Sequence, residues 1–175
     1  DAPPWRERID KAYFRGTDTG VSFFPYDVRR HRPPRVAVAH MGRARSDLID
    51  AGLTGVEAWR DDAAEARAYY EAHGLMKSRD QQERVLEFRY QIDIDGNSNA
   101  WSAFFLKLLT GSPVLKVHSA LGYRQWFYNR LEPWVNFVPV ANDLDDLIRH
   151  LEFLRENPVL AESIGRRGQE LAMSL

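Results

Sequence analysis

The stretch FRYQIDIDGNSNAWSAFFLKLLTGSPVLKVH, residues 88–118, decides the fold: in about thirty residues it passes from β-forming sequence through a polar turn and a helical stripe and back. Phe88 to Ile94 is rich in β-formers with partial alternation. It halts at a run of turn formers, Asp95-Gly96-Asn97-Ser98-Asn99. Trp101, Phe104, Phe105, Leu108 and Leu109 then recur at helical spacing, which predicts a helix with Asn99 as N-cap and Gly111 just past its end. Val114 to His118 reads as the second strand. Parallel strands joined by a right-handed crossover place the polar turn at the carboxyl edge of the sheet, where open α/β folds bind ligands. The unpaired amides of the helix's first turn then face that edge and favour an anion such as a phosphate.

Outward from this unit, 175 residues with 44% hydrophobic and 12% aromatic content suffice for one domain with its own core. A net charge of −1 supplies no global field for nucleic acid or an anionic membrane, so no nucleic-acid partner is expected. The basic residues are 20 Arg against 4 Lys, a bias that genomic base composition explains more economically than phosphate binding. Without Cys the chain makes neither disulfides nor thiolate-bound metal sites. No apolar run approaches the roughly 20 residues of a membrane span, and no signal peptide opens the chain. The chain starts with Asp rather than Met, and Asp1 to Trp5 reads as a segment cut from inside a longer polypeptide, so an upstream region is expected.

Arg6 to Tyr13 reads as a short helix or an extended lead-in. It runs to Phe14-Arg15-Gly16-Thr17-Asp18-Thr19-Gly20, a polar turn whose amides, Thr17 and Thr19 hydroxyls and Arg15 guanidinium suit phosphate oxygens. On spacing alone, a plain connecting turn accounts for it better. Asp27 to Arg35 is rich in Arg and Pro and reads as a solvated lead into a buried strand, Arg35 to His40. Met41 to Thr54 looks irregular, broken by Gly52 and, just beyond, Gly55. Glu57 to His73 has helical composition, with Trp59, Ala63, Ala66 and Tyr70 on one side and Gly74 as the stop. A further helix is expected over Ser78 to Phe88. The aromatics Tyr123, Trp126, Phe127 and Tyr128 form either core or a stacking surface. Val135 to Val140 reads as a strand whose Pro139 places it at an edge or an end. Asp143 and Asp146 open a helix with a clean stripe, Leu144, Leu147, Ile148, Leu151 and Leu154, and Asn157-Pro158 opens a last helix to about Ala172. Strands alternating with helices mean an α/β sheet flanked by helices.

Asp93-Ile94-Asp95-Gly96-Asn97 admits several chemistries. It resembles locally the nucleophile loop of a Mg²⁺-dependent phosphohydrolase of the haloacid dehalogenase type, with Asp93 attacking phosphorus and Asp95 as general acid. It also resembles the metal-bridging DxD of manganese-dependent glycosyltransferases. It could instead be a metal-free diphosphate site, with its amides, Asn97, Ser98, Asn99 and Ser102 receiving the anion, or simply a capping turn without ligand. His31, His40, His73, His118 and His150 show no metal-ligand spacing. His118 and Lys116 end a strand at the functional edge, where either could touch a phosphate. Asp143 to Asp146 is better explained by capping than by metal binding.

Several segments together resemble glycosyltransferase family 90, the family of Rumi-type protein O-glucosyltransferases, capsule-associated enzymes and bacterial lipopolysaccharide-modifying enzymes. They are Pro4-Trp5 with Arg8, Ala12, Phe14-Arg15-Gly16 and Thr19-Gly20; Asp47 to Thr54; Tyr90 to Asn97; Leu108 to Ser112 with Val114-Leu115-Lys116; Arg124 to Tyr128; Leu131 to Val140; and Asp143 to Leu147. The bacterial branch is the nearest in pattern. The resemblance implies the C-terminal, donor-binding half of a GT-B fold, a Rossmann-like parallel sheet flanked by helices and filling residues 1–175, with the acceptor-binding half upstream of this chain. It implies inverting transfer from a nucleotide-sugar donor, UDP-linked, to a polysaccharide, lipopolysaccharide or protein hydroxyl, without metal or cofactor, in the cytoplasm or at the cytoplasmic membrane face of a bacterium. It assigns the donor to Arg15, Gly16, Thr17 and Thr19 of the first loop, to Asp95, Gly96, Asn97, Ser98, Asn99 and Ser102 of the diphosphate turn and helix start, and to Lys116. A non-catalytic nucleotide- or glycan-binding module is the remaining alternative. Two departures stand out. Eukaryotic members carry a diphosphate-neutralising Arg near the position of Ala103, so that Arg15, Lys107 or Lys116 must compensate or the amides must suffice, and the family's general base lies in the upstream half, so no residue of this chain is assigned as catalytic.

Overall fold

The computed structural model describes residues 3–20, 33–80 and 82–175. Five parallel strands form one sheet in the order β2-β1-β3-β4-β5: β1 Ile9–Thr17, β2 Ile49–Gly55, β3 Phe88–Asp93, β4 Val114–Val117 and β5 Val138–Val140. Five α-helices flank it: α1 Pro34–Ala44, α2 Ala63–Ala72, α3 Ser102–Leu109, α4 Leu147–Glu156 and α5 Pro158–Met173. The α/β class expected from the alternation of elements is the observed one.

The β3-turn-α3-β4 unit forms as its two periods dictate. Because β-strand side chains alternate, β3 and β4 send Ile92, Leu115 and Val117 to one face and Gln91, Asp93, Val114 and Lys116 to the other. The first face joins the main core with Ala12, Phe14, Val138 and Val140, under Val38 of α1, Leu147, Leu151 and Leu154 of α4, and Ala161 and Ile164 of α5. On the second face Phe104 and Leu108 of α3 pack on Val114 with Phe127 and with Ala172 of α5. Phe127 is therefore core, whereas Trp126 is 73% exposed.

Several segments differ from the sequence reading. Phe14 to Thr17 is no turn but the end of β1, interior to the sheet, and Gly16 stands in the strand because the Arg35 guanidinium comes within 3.2 Å of where its Cβ would be. Arg35 to His40 is helix rather than strand. Val-Ala-Val-Ala suits either period, and Pro34 at the first helical turn selects the helix. Met41 to Thr54 holds the end of α1 and most of β2, whose Gly52 is covered by the Lys77 side chain. The stretch Ser78 to Phe88 yields a 3-10 turn, Gln82–Glu87, and α2 is shorter than Glu57 to His73, leaving Trp59 83% exposed. Trp5–Glu7 is likewise 3-10, ahead of β1. Asp146, not Asp143, occupies the N-cap position of α4, its carboxylate accepting from the Ala141 amide. The Arg- and Pro-rich stretch Asp27 to Arg35 lies mostly outside the described residues.

Candidate functional site

With β2 and β3 on opposite sides of β1, the chain reverses its winding between β1 and β3, and a crevice at the carboxyl ends of those strands is where such sheets bind ligands. There the loops after β1 and β3 meet at two glycines. Gly20 has φ +100°, a left-handed backbone that favours glycine, and a Cβ on Gly96 would lie 2.5 Å from the Thr19 hydroxyl oxygen. Arg35, at the start of α1, locks the junction by donating to the carbonyls of Thr17 (3.0 Å), Ile94 (2.9 Å) and Asp95 (3.1 Å). Burial pushes its pKa down, opposed by Asp93, Asp95, Asp18 and Glu57.

Asn97 gathers four loops. Its side-chain oxygen accepts from the Gly20 amide at 2.7 Å, its side-chain nitrogen donates to Glu57 Oε1, and its carbonyl accepts from the Tyr123 hydroxyl at 3.0 Å. The Glu57 amide donates in turn to Asp18 at 2.7 Å, and the fully buried Asp18 carboxylate also takes Arg60 (2.7 Å) and the Tyr70 hydroxyl (2.9 Å).

Beneath α3 lies a buried ion cluster. Asp93, with no exposed surface, is held by Lys107 at 2.7 Å and Lys116 at 2.9 Å, and Lys116 also donates to Asp95 at 2.5 Å. Burial alone would raise the Asp93 pKa, but the two ammonium groups outweigh it and hold the carboxylate below its usual range. Burial alone would likewise lower Lys116, and Asp93 and Asp95 outweigh it in the other direction. The neighbouring Tyr128 phenol is pushed up to about 12, mainly by burial. Among the described residues no group of three or more acidic or imidazole side chains is placed to hold a metal ion.

The donor assignments of the sequence reading therefore divide. Thr19, Gly96, Asn97 and Asp95 come together at the junction, and the Thr17 carbonyl and Gly16 backbone lie under Arg35. Arg15 points elsewhere: its guanidinium is paired with Asp50 at 2.8 Å and Asp80 at 3.1 Å. Lys116 and Lys107 are committed to Asp93, so none of the three cations expected to replace the missing arginine is uncommitted. The turn amides are also partly used from within. Ala100 donates to Asp95 at 3.2 Å, Trp101 to Asn99 at 3.1 Å, Gly96 to the Ser98 carbonyl at 3.0 Å, and Ala103 to the Ala100 carbonyl at 2.9 Å. Asn99 thus closes a local turn rather than capping α3; Ser98 bonds to the Asn99 carbonyl at 3.3 Å, and α3 begins at the exposed Ser102 with Trp101 in the cap position. Trp101 is 76% exposed, not part of the buried stripe.

A cavity of about 600 Å³ opens at the ends of β4 and β5, lined by Lys116, His118, Ser119, Tyr123, Arg124 and Tyr128 among others. Sequence reasoning left this pocket unassigned, gave no site role to Arg35 or Glu57, and named Tyr123 only among the aromatics of core or a stacking surface. The Pro33-Pro34 pair just before Arg35 was the one local signal that a helix starts there.

This architecture is that of the Rossmann-like halves of GT-B glycosyltransferases. S. aureus TarM matches with TM-score 0.64 at 12% identity, over 99% of this chain and 34% of that one. Anabaena Alr3699/HepE, solved in complex with UDP and glucose, matches with TM-score 0.60 at 12% identity, over 94% of this chain and 44% of that one. Within that class, the sequence model described as Glycosyl transferase family 90 matches residues 1–174, and the chain belongs to that family. Human protein O-glucosyltransferase 3 is 30% identical over 173 residues, 99% of this chain but 30% of the human protein. The chain thus spans about 30% of the length of the curated relatives it matches first.

Proposed function

We propose that residues 1–175 form the donor-binding half of an inverting, metal-independent glycosyltransferase that takes a UDP-linked sugar and serves an acceptor hydroxyl on a surface polysaccharide, a lipopolysaccharide or a protein. The observation that carries this reading is the cavity at the ends of β4 and β5, which shares Val117, His118, Ser119 and Tyr123 with the cleft over the Gly20/Gly96 junction and, at about 600 Å³, is of the size of a nucleotide site. The family membership and the UDP complex of the HepE neighbour support it. The chemistry is positional: the donor is held at the sheet edge and charge on the departing diphosphate is met by fixed dipoles and cations, while the base comes from the upstream half. Of the side chains lining the cavity, Arg124 and His118 lie outside the buried ion cluster and offer N–H donors for phosphate oxygens. No helix among the described residues is long and apolar enough to cross a membrane. The cytoplasmic face of a bacterial membrane as the place of action rests on the resemblance to bacterial members.

Titrating the chain with UDP and UDP-glucose, with and without a chelator, tests this. Saturable binding that the chelator leaves unchanged is expected; binding that requires Mg²⁺ sinks the metal-free reading. The rival phosphohydrolase needs Asp93 free to attack phosphorus, and a carboxylate buried between two lysine ammonium groups is not free. The Asn substitution of Asp93 would abolish turnover and bound metal in such an enzyme, whereas the proposed transferase half would still take UDP.

A further inference from the structure

We infer that Asn97 and Glu57 are positioning residues for the proposed donor site, acting through a hydrogen-bonded hub rather than by touching the donor. The inference rests on the donor reading above and deepens it. Asn97 has its side-chain oxygen, side-chain nitrogen and backbone carbonyl all occupied by protein partners, from the loops after β1, β2 and β4 respectively. The side-chain oxygen and one of the two side-chain N–H groups are thereby committed to neighbouring loops. What Asn97 sets is the wall of the site. Tyr123, bonded to the Asn97 carbonyl, lines the 600 Å³ cavity and also a cleft of about 70 Å³ formed by Thr19, Gly20, Gly96 and His118 directly over the glycine junction. Moving Asn97 therefore moves both walls that a diphosphate between them would meet.

Asn97 bridges the Gly20 amide and the Glu57 carboxylate because its side chain presents an acceptor oxygen and a donor nitrogen on separate atoms. Glu57 is 2% exposed, with its own amide tied to Asp18, so the carboxylate cannot swing out to follow a displaced partner. The hub is thus a polar lock among loops from four different strand ends, and its geometry is transmitted to the cavity through Tyr123.

The test is an exchange of roles. Asn97→Asp keeps the acceptor for Gly20 but sets a second carboxylate against Glu57, and UDP affinity of the chain is expected to fall about tenfold or more. Glu57→Gln alone retains a neutral bond and should lose about threefold or less. Combined, the Asn97→Asp, Glu57→Gln variant restores one donor facing one acceptor and should return to within about threefold of the parent chain. Amide hydrogen exchange at Gly20 and Glu57 is followed in parallel, in Asn97→Ala as well, and loss of Gly20 protection in that variant is expected. Folded Asn97→Asp with undiminished UDP affinity, or a double variant no better than the single, overturns the inference. If the parent chain binds no UDP, the donor reading fails by itself, while unchanged Gly20 exchange in Asn97→Ala would independently overturn the hub.

Discussion

The two faces of the sheet are built from the same strands and do different work. On one face Ile92, Leu115 and Val117 join an apolar core spanning all five strands, α1, α4 and α5; on the other, one residue along, Gln91, Asp93 and Lys116 face α3 with a buried ion cluster at its base. Apolar burial is forgiving of small shifts because it has no direction. The ion cluster is directional: it fixes Asp95 and hence the Gly96 turn, so this face contributes more to the shape of the site.

Neighbouring residues sharpen this contrast. Lys116→Met strips Asp95 of its ammonium partner and leaves Asp93 with Lys107 alone, and a loss of about 4 kcal/mol of stability by urea titration is expected together with weaker UDP binding by the surviving folded protein. Leu115→Ala, adjacent but on the apolar face, should cost about 3 kcal/mol in the same titration and leave UDP affinity at its parent value. Equal effects of the two variants on affinity would break the comparison.

Acid separates the faces next. Because the Asp93 pKa is depressed in the folded state, the stability it contributes is present above its unfolded value of about 4 and is lost as pH falls through the folded value. Urea midpoints measured from pH 6 to pH 2 should therefore fall less steeply in Asp93→Asn than in the parent chain. The smallest effect is a gain. Trp101 holds φ 47° and ψ −130°, its amide bonded to Asn99 and its carbonyl to Gln125, while its indole stands in solvent. Trp101→Gly should raise stability by about 1 kcal/mol, read as a higher urea midpoint, by relieving that backbone without emptying any core.

The β3-α3-β4 unit was legible because each of its segments keeps one strong period and its turn is dense in turn formers. The α1 helix was not, since Val36-Ala37-Val38-Ala39 alternates like a strand and its helicity is imposed by Pro34 and by packing on β2. β2 was hidden by Gly52 and Gly55, which weaken a strand signal and are tolerated because Lys77 covers one and Thr17 at the end of β1 approaches the other. At the site, the Gly96 turn was visible, but its support was not. Asn97 meets Gly20, Glu57 and Tyr123 across 77, 40 and 26 residues, and no local pattern encodes contacts of that span. The same holds for Arg15, whose type suited a phosphate but whose partners, Asp50 and Asp80, are brought to it by the fold.

Pro139 sits in the middle of the three-residue β5, where it has no amide hydrogen to offer an incoming strand. At the opposite margin the chain blunts itself: the Leu53 amide donates to the Leu75 carbonyl and the Lys77 amide to the Leu53 carbonyl, so β2 already wears a short ribbon of its own sequence. Among the described residues both borders of the sheet are thus partly closed to another molecule's backbone, which guards the chain against edge-to-edge aggregation.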